Sequence, residues 1–308
     1  MTPEPSPTPA PGRPPSVAFA LVRAMRPRQW VKNLFVGAPL LFGKVLKDPS
    51  LALRAAAAIA IFCLVSSAVY LWNDLIDLEK DRAHPRKRLR PIASGALPRK
   101  TAKAAGAGLA VGGLALALLL DWRYAVVVAA YLAQNLAYSL VLKRLAYVDV
   151  LVIASGFLLR VVAGALAIDV HASRWLLLCT ALLACFLGFG KRAHELATSG
   201  ARGAEQRAVL SSYHPSLLRA LLYGNGLATV IAYTGYTLAE HTREFFHTTN
   251  MVYTVPFVLV GVTRYLSLVG SRPKAESPTE EMLRDPLFLV NLVVAVGAWV
   301  AIIYRARG

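Results

Sequence analysis

Acidic side chains are scarce in this sequence: 17 Asp and Glu stand against 34 Lys and Arg, a formal net charge of +17 over 308 residues. Cysteine is scarcer. Cys63, Cys179 and Cys185 all lie in apolar runs, which argues against a disulfide framework or a zinc site and makes them packing residues. His194 has no second His or Cys at ligand spacing and reads as a bystander. No Ser–His–Asp or Cys–His arrangement is present to activate a nucleophile. No nucleic-acid-binding motif accompanies the basic residues, so nucleic acid is not an expected partner. The basic start and apolar heart of a signal peptide are missing too. Residues 1–16 are Pro-rich and uncharged apart from Glu4 and Arg13, which predicts a disordered, uncleaved tail.

What the chain has in plenty is apolar surface. Hydrophobic residues make up 56% of it and the mean hydropathy is +0.50, more than one soluble core of this length would use. An all-α, polytopic membrane helical bundle is expected, a single integral-membrane domain over 17–308. Apolar runs near 30–46, 54–73, 104–120, 124–142, 148–168, 175–190, 217–238, 251–270 and 286–304 suggest about nine transmembrane helices. Gly106, Gly108, Gly112 and Gly113 in the third suit close helix contact in lipid. Of the Lys and Arg, 24 fall in residues 1–32, 79–103, 143–144, 191–207 and 264–284, and seven in the alternate loops. By the positive-inside rule the first set is cytoplasmic, which makes 79–103 and 191–216 cytoplasmic active-site loops in a cell-membrane protein. Attraction to anionic lipid headgroups accounts for part of this charge.

Residues 70–100 organise the rest. An apolar run ends in Asn73, Asp74, Asp77 and Asp81, which at ~100° per residue share one side of a helix. Carboxylates so crowded at a membrane boundary are tolerable with a hard cation among them, and Mg²⁺ fits because it takes one or two carboxylates and substrate phosphate oxygens. The competing reading is a solvated helix end with ordinary charge pairs. Against it, Arg86, Lys87, Arg88 and Arg90 follow at once and supply more positive charge than the cluster needs, which implies an anionic ligand.

Other polar residues fall near the same helix ends. Arg160, about twelve residues into its run, costs ~2.5–3.5 kcal/mol to insert and implies a polar cavity, shared with Asp149, or else a structural ion pair. Tyr138 and Lys143 read as site residues or as interfacial anchors. Lys191, Arg192 and Glu195 offer phosphate binding, or a plain i, i+4 pair between Lys191 and Glu195. In the amphipathic start, Arg26, Arg28, Gln29, Trp30, Lys32 and Asn33 read as surface anchors, with Lys32 and Asn33 as candidates for a lipid phosphate.

The stretch NDLIDLEKD resembles the first aspartate-rich motif, NDxxDxxxD, of the UbiA-type intramembrane prenyltransferase superfamily. MRPRQWVKN at 25–33, HPRKRLRPIASGALP at 84–98, YSLVLKR at 138–144 and FLLRVVAGALAI at 157–168 narrow the likeness to the branch that moves 5-phosphoribose onto a polyprenyl (decaprenyl) phosphate, which supplies lipid-linked pentose (arabinose) for cell-wall polysaccharide. The resemblance implies a transferase that uses Mg²⁺, phosphoribosyl diphosphate and a polyprenyl phosphate lipid. It implies catalytic roles for Asp74, Asp77 and Asp81 as metal ligands and for Lys143, and Asp149 is expected to join them on the buried-charge argument above. Substrate binding would fall to Lys32, Asn33, Asn73, Arg86, Lys87, Arg88, Arg90, Tyr138, Arg160, Lys191, Arg192 and Glu195. The chain departs from the superfamily in its second motif: where prenyl diphosphate users carry DxxxD, it reads KRAHE, with Lys191 and Glu195 in the aspartate positions. Prenyl transfer to an aromatic or other acceptor is the alternative. A lipid-phosphate carrier without chemistry is the alternative from another class, disfavoured because no internal repeat is found. Homo-oligomerisation is left open.

Overall fold

The structure is a computed structural model that describes residues 16–199, 208–270 and 278–305. The expected N-terminal tail and parts of the loops at 191–216 and 264–284 lie outside the described residues. The chain begins with α1 (Val17–Ala24), a 3-10 stretch at Pro27–Gly37 and the short α2 (Ala38–Phe42). Then come α3 (Pro49–Ile76), α4 (Leu78–Ala83), α5 (Arg99–Leu120), α6 (Trp122–Leu140), α7 (Val148–Ala167) and α8 (Arg174–Ser199). The remainder is α9 (Pro215–Leu238), α10 (Glu240–Phe246), α11 (Val255–Gly270), α12 (Pro278–Met282) and α13 (Pro286–Arg305). No strand occurs among the described residues.

Local chemistry sets the main boundaries. Asp48 caps α3 by accepting from the backbone N–H of Ser50 and Leu51, with Pro49 at the first helical position. Asp121 does the same for α6 through Arg123 and Tyr124. Between these caps the helices are apolar enough to fold in lipid, where every backbone group must be satisfied within the segment. Among the described residues, six helical segments, Pro49–Ile76, Arg99–Leu120, Val148–Ala167, Arg174–Ala197, Asn250–Gly270 and Pro286–Tyr304, are long and apolar enough to cross a membrane. Helices α6 and α9 are as long but carry more polar residues. The first expected span is not one helix: residues 27–37 wind as 3-10 turns before the short α2, because Pro27, Gly37 and Pro39 interrupt it. Nine crossings therefore stay an expectation. The loop expected from residue 191 is also shorter, since α8 continues through Ser199.

Successive helices pack side by side, and α3 also touches α6 and α7. Gly106 and Gly113 admit Trp72 and Val65 of α3, whereas Gly108 and Gly112 face open space, so half of the expected glycine face is used. The 3-10 stretch lies in the groove between α3 and α7. It comes so close to α7 that a Cβ on Gly164 would stand 1.8 Å from the Val36 carbonyl oxygen.

Among the described residues, the two sets of loops gather at opposite ends of the bundle. At one end Lys44 donates to the Phe245 carbonyl, Tyr304 accepts from the Leu46 N–H, Arg54 donates to Leu120 and Ala167, and Arg123 pairs with Asp169. At the other lie the aspartates of 74–81 and their basic partners. The described loops of the two groups are thus separated in space.

Candidate active site

Asp74 sits in the last full turn of α3, 3% exposed, and accepts from Arg26 and from Arg90 at 3.2 Å. Arg90 also bonds Asp81 at 2.6 Å, so one guanidinium bridges two buried carboxylates. Asp77 faces away from them and takes Lys143 Nζ on both oxygens, at 2.7 and 2.9 Å. The single helix face expected for 73–81 is therefore broken: α3 stops at Ile76, Asp77 has φ −90° and ψ 9°, and α4 starts afresh. The bend sends Asp77 towards α6 and α7, while Asp74 and Asp81 turn to the loop. Asn73 accepts from the Ser139 hydroxyl of α6.

The loop after α4 is folded rather than loose. Ile92 and Leu97 are buried with Leu71 and Leu78, and Gly95 turns with φ 83°, a conformation that favours glycine. This packing is what carries Arg90 inward. Arg86 and Arg88 stay exposed. Arg26 reaches Asp74 from the opposite side by adopting φ 55°, uncommon for a side-chain-bearing residue, and lies 5.2 Å from the Tyr70 ring.

Beside this cluster a cavity of about 500 Å³ runs into the bundle, lined mainly by apolar side chains of α7, α8, α11 and α13 and by the 3-10 stretch. Lys32, Asn73, Tyr138 and Lys191 line it towards the aspartate end, with Gln134, Asn135 and Arg160 farther in and Trp299 towards the other end. Of the expected site residues, these cavity members and the Asp74–Asp81 cluster come together. Asp149 does not join them. It is fully buried at the start of α7, accepts from the Tyr213 hydroxyl and pairs with Arg192 at 2.9 Å. Arg192, 1% exposed, also bonds Glu195. Burial and the bond to Asp149 push the Tyr213 hydroxyl well above its ordinary pKa. The expected sharing of one cavity by Asp149 and Arg160 is thus corrected: Arg160 lines the cavity, whereas Asp149 lies outside its wall, enclosed by Tyr213 and Arg192. Asn33 is corrected in the same way. It is fully buried, away from the surface, and accepts from Arg160 Nε at 2.9 Å.

Read from the sequence, Arg26 had only an anchoring role, and Tyr131, Gln134, Asn135 and Ser139 were passed over. Their signal is legible in retrospect: polar residues three and four apart mark one face of the otherwise apolar α6.

Among the described residues no three His, Cys, Asp or Glu side chains stand close enough to hold a metal ion by themselves. The donor set still suits Mg²⁺ that shares its shell with substrate oxygens, since Asp74 Oδ2 is buried without a hydrogen-bond partner and Asp77 is about a third exposed.

Comparison with known proteins agrees with this architecture. The UbiA prenyltransferase family pattern matches residues 34–292. A decaprenyl-phosphate phosphoribosyltransferase of Mycolicibacterium smegmatis is 35% identical over 307 residues, 96% of each chain. One of Mycobacterium tuberculosis is 37% identical over 297 residues, covering 94% of this chain and 96% of that one. Among solved structures, a UbiA homolog from Archaeoglobus fulgidus bound to DMAPP and Mg²⁺ superposes with a TM-score of 0.70 at 18% identity, over 92% of this chain and 99% of that one. A family pattern over most of the chain, two full-length relatives and a shared fold leave one conclusion: this all-helical integral membrane protein belongs to the UbiA prenyltransferase family.

Proposed function

We propose that the protein transfers 5-phosphoribose from phosphoribosyl diphosphate to a polyprenyl phosphate, with release of diphosphate. The observation that carries this is a mainly apolar cavity, suited to an isoprenoid, that opens beside a carboxylate cluster already crossed by arginines, suited to a diphosphate. The full-length relatives named as decaprenyl-phosphate phosphoribosyltransferases support the same substrates. So does Lys191, a cation in the cavity wall where prenyl diphosphate users have an aspartate.

The C1–O bond to diphosphate breaks with oxocarbenium character, and the leaving group takes the electron pair. A lipid phosphate oxygen, already anionic, forms the new C1–O bond, so no general base is required. Mg²⁺ held at Asp74 and, on the other side of the bend, at Asp77 would neutralise charge on the diphosphate. Arg26 and Arg90 orient Asp74 and Asp81 and add fixed positive charge beside the leaving group, and Lys143 does the same at Asp77. Arg86, Lys87 and Arg88 present further cations to a soluble donor arriving from the cytoplasm, while Tyr138, Lys32 and Lys191 face the lipid phosphate. Asp149, Arg192 and Glu195 act indirectly by fixing the start of α7 against α8.

Purified protein incubated with Mg²⁺, a polyprenyl phosphate and competing donors tests the proposal. Transfer from phosphoribosyl diphosphate, none from a prenyl diphosphate, and loss of turnover in Asp77→Asn are the expected results. Preference for the prenyl donor, or full activity of Asp77→Asn at limiting Mg²⁺, would refute it.

A further inference from the structure

Arg160 is 6% exposed, lies in the cavity wall, and has only neutral hydrogen-bond partners: Asn33 Oδ1, the Gly156 carbonyl and the Tyr131 hydroxyl, each at 2.9 Å. The rings of Tyr131, Phe157 and Phe62 lie 4.8, 5.5 and 5.8 Å from its guanidinium carbon. No ion pair is formed with it among the described residues, so the structural ion pair that the sequence left open is not made. An arginine stays charged in proteins, and a buried charge without a counter-charge is costly. The expense is understandable where a ligand supplies the missing anion.

Asn33 makes this arrangement possible. Its amide NH₂ donates to Ser66 Oγ at 3.1 Å and Cys63 Sγ at 3.3 Å, which fixes which end of the side chain is oxygen and aims Oδ1 at Arg160. A carboxylate in the same place would accept the same bond and cancel the charge. We propose that Asn33 is a positioning residue that holds Arg160 through a neutral acceptor, so that Arg160 stays an open anion-binding site in the cavity for a phosphate monoester group. Phosphoribosyl transfer provides two such groups, the lipid phosphate and the ribose 5-phosphate, and the assignment relies on that reading only for their identity.

Asn33→Asp separates this role from simple packing, because it keeps the acceptor while supplying the absent negative charge. The variant is expected to melt at or above the wild-type temperature and to bind one monophosphate probe at least ~10-fold more weakly, a loss of about 1.4 kcal/mol. The probes are farnesyl phosphate and ribose 5-phosphate, titrated separately by calorimetry; whichever weakens identifies the group that Arg160 reads. Arg160→Met is expected to fold and to weaken the same probe. Unchanged binding of both probes by Asn33→Asp, or unfolding of that variant, overturns the proposal. If wild-type protein transfers phosphoribose while Asn33→Asp binds like wild type, the proposal fails and the function stands. If wild-type protein transfers none but binds a monophosphate in a manner sensitive to Asn33→Asp, the function fails and the site stands.

Discussion

Gly164→Ala tests the link between helix packing and the cavity. On α7, Gly164 stands four residues after Arg160 and so on the same face. On the facing 3-10 stretch, Val36 stands three residues after Asn33, again one turn on. The close approach of Gly164 to Val36 and the hydrogen bond from Arg160 to Asn33 are therefore consecutive contacts in one interface. A methyl at 164 would stand 1.8 Å from the Val36 oxygen, 2.7 Å from its carbonyl carbon and 3.1 Å from its Cα, where ordinary contact begins at 3.4 Å. The backbone must retreat by about 1.6 Å at the oxygen to restore that contact. No side-chain rotation can absorb the clash, so the cost belongs at or above the top of the overpacking range, ~3 kcal/mol. The same retreat draws Asn33 away from Arg160. Unfolding followed in detergent, alongside phosphoribosyl transfer, should show Gly164→Ala strongly destabilised and nearly inactive. Gly108→Ala, which meets open space, should be neutral or stabilised by ~0.5–1 kcal/mol from helix propensity. Equal stability of the two variants would refute the claim that backbone contact at Gly164 sets this interface.

Three further outcomes are expected. Lys191→Ala should raise KM for one phosphorylated substrate about tenfold without removing Mg²⁺ dependence; unchanged kinetics for both substrates, or a gain of transfer when aspartates are placed at 191 and 195, would contradict its role in the cavity wall. Single cysteines at the exposed Ser94 and Thr249, in a background without the three native ones, should label from opposite membrane faces, with 94 cytoplasmic; labelling from one face would overturn the assigned orientation. Tyr213→Phe should cost ~1–3 kcal/mol by leaving Asp149 short of a donor. Because the folded pKa of Tyr213 is raised above 10.0, stability linked to it should hold below pH 10.0 and fall as pH rises towards the folded value, a decline absent from the Phe variant.

Membrane character, helical class and the alternation of basic loops were decided by composition and apolar run length, because lipid allows few other solutions for such a chain. The carboxylate cluster was legible in part: helical spacing put Asn73, Asp74, Asp77 and Asp81 on one side of a single helix, a face that the chain breaks at Asp77. Sequence spacing could not reveal the bend at Asp77, which gives Asp77 to Lys143 and leaves Asp74 and Asp81 to Arg90. Nor could it separate Asp149 from Arg160, whose surroundings are set by Arg192 and Tyr213 in one case and by Asn33 and Tyr131 in the other. All of these are contacts between elements distant in the chain. Local periodicity says which face of a helix a residue occupies; only the packing of other helices against that face decides whether it meets a cation, a neutral amide or an open cavity.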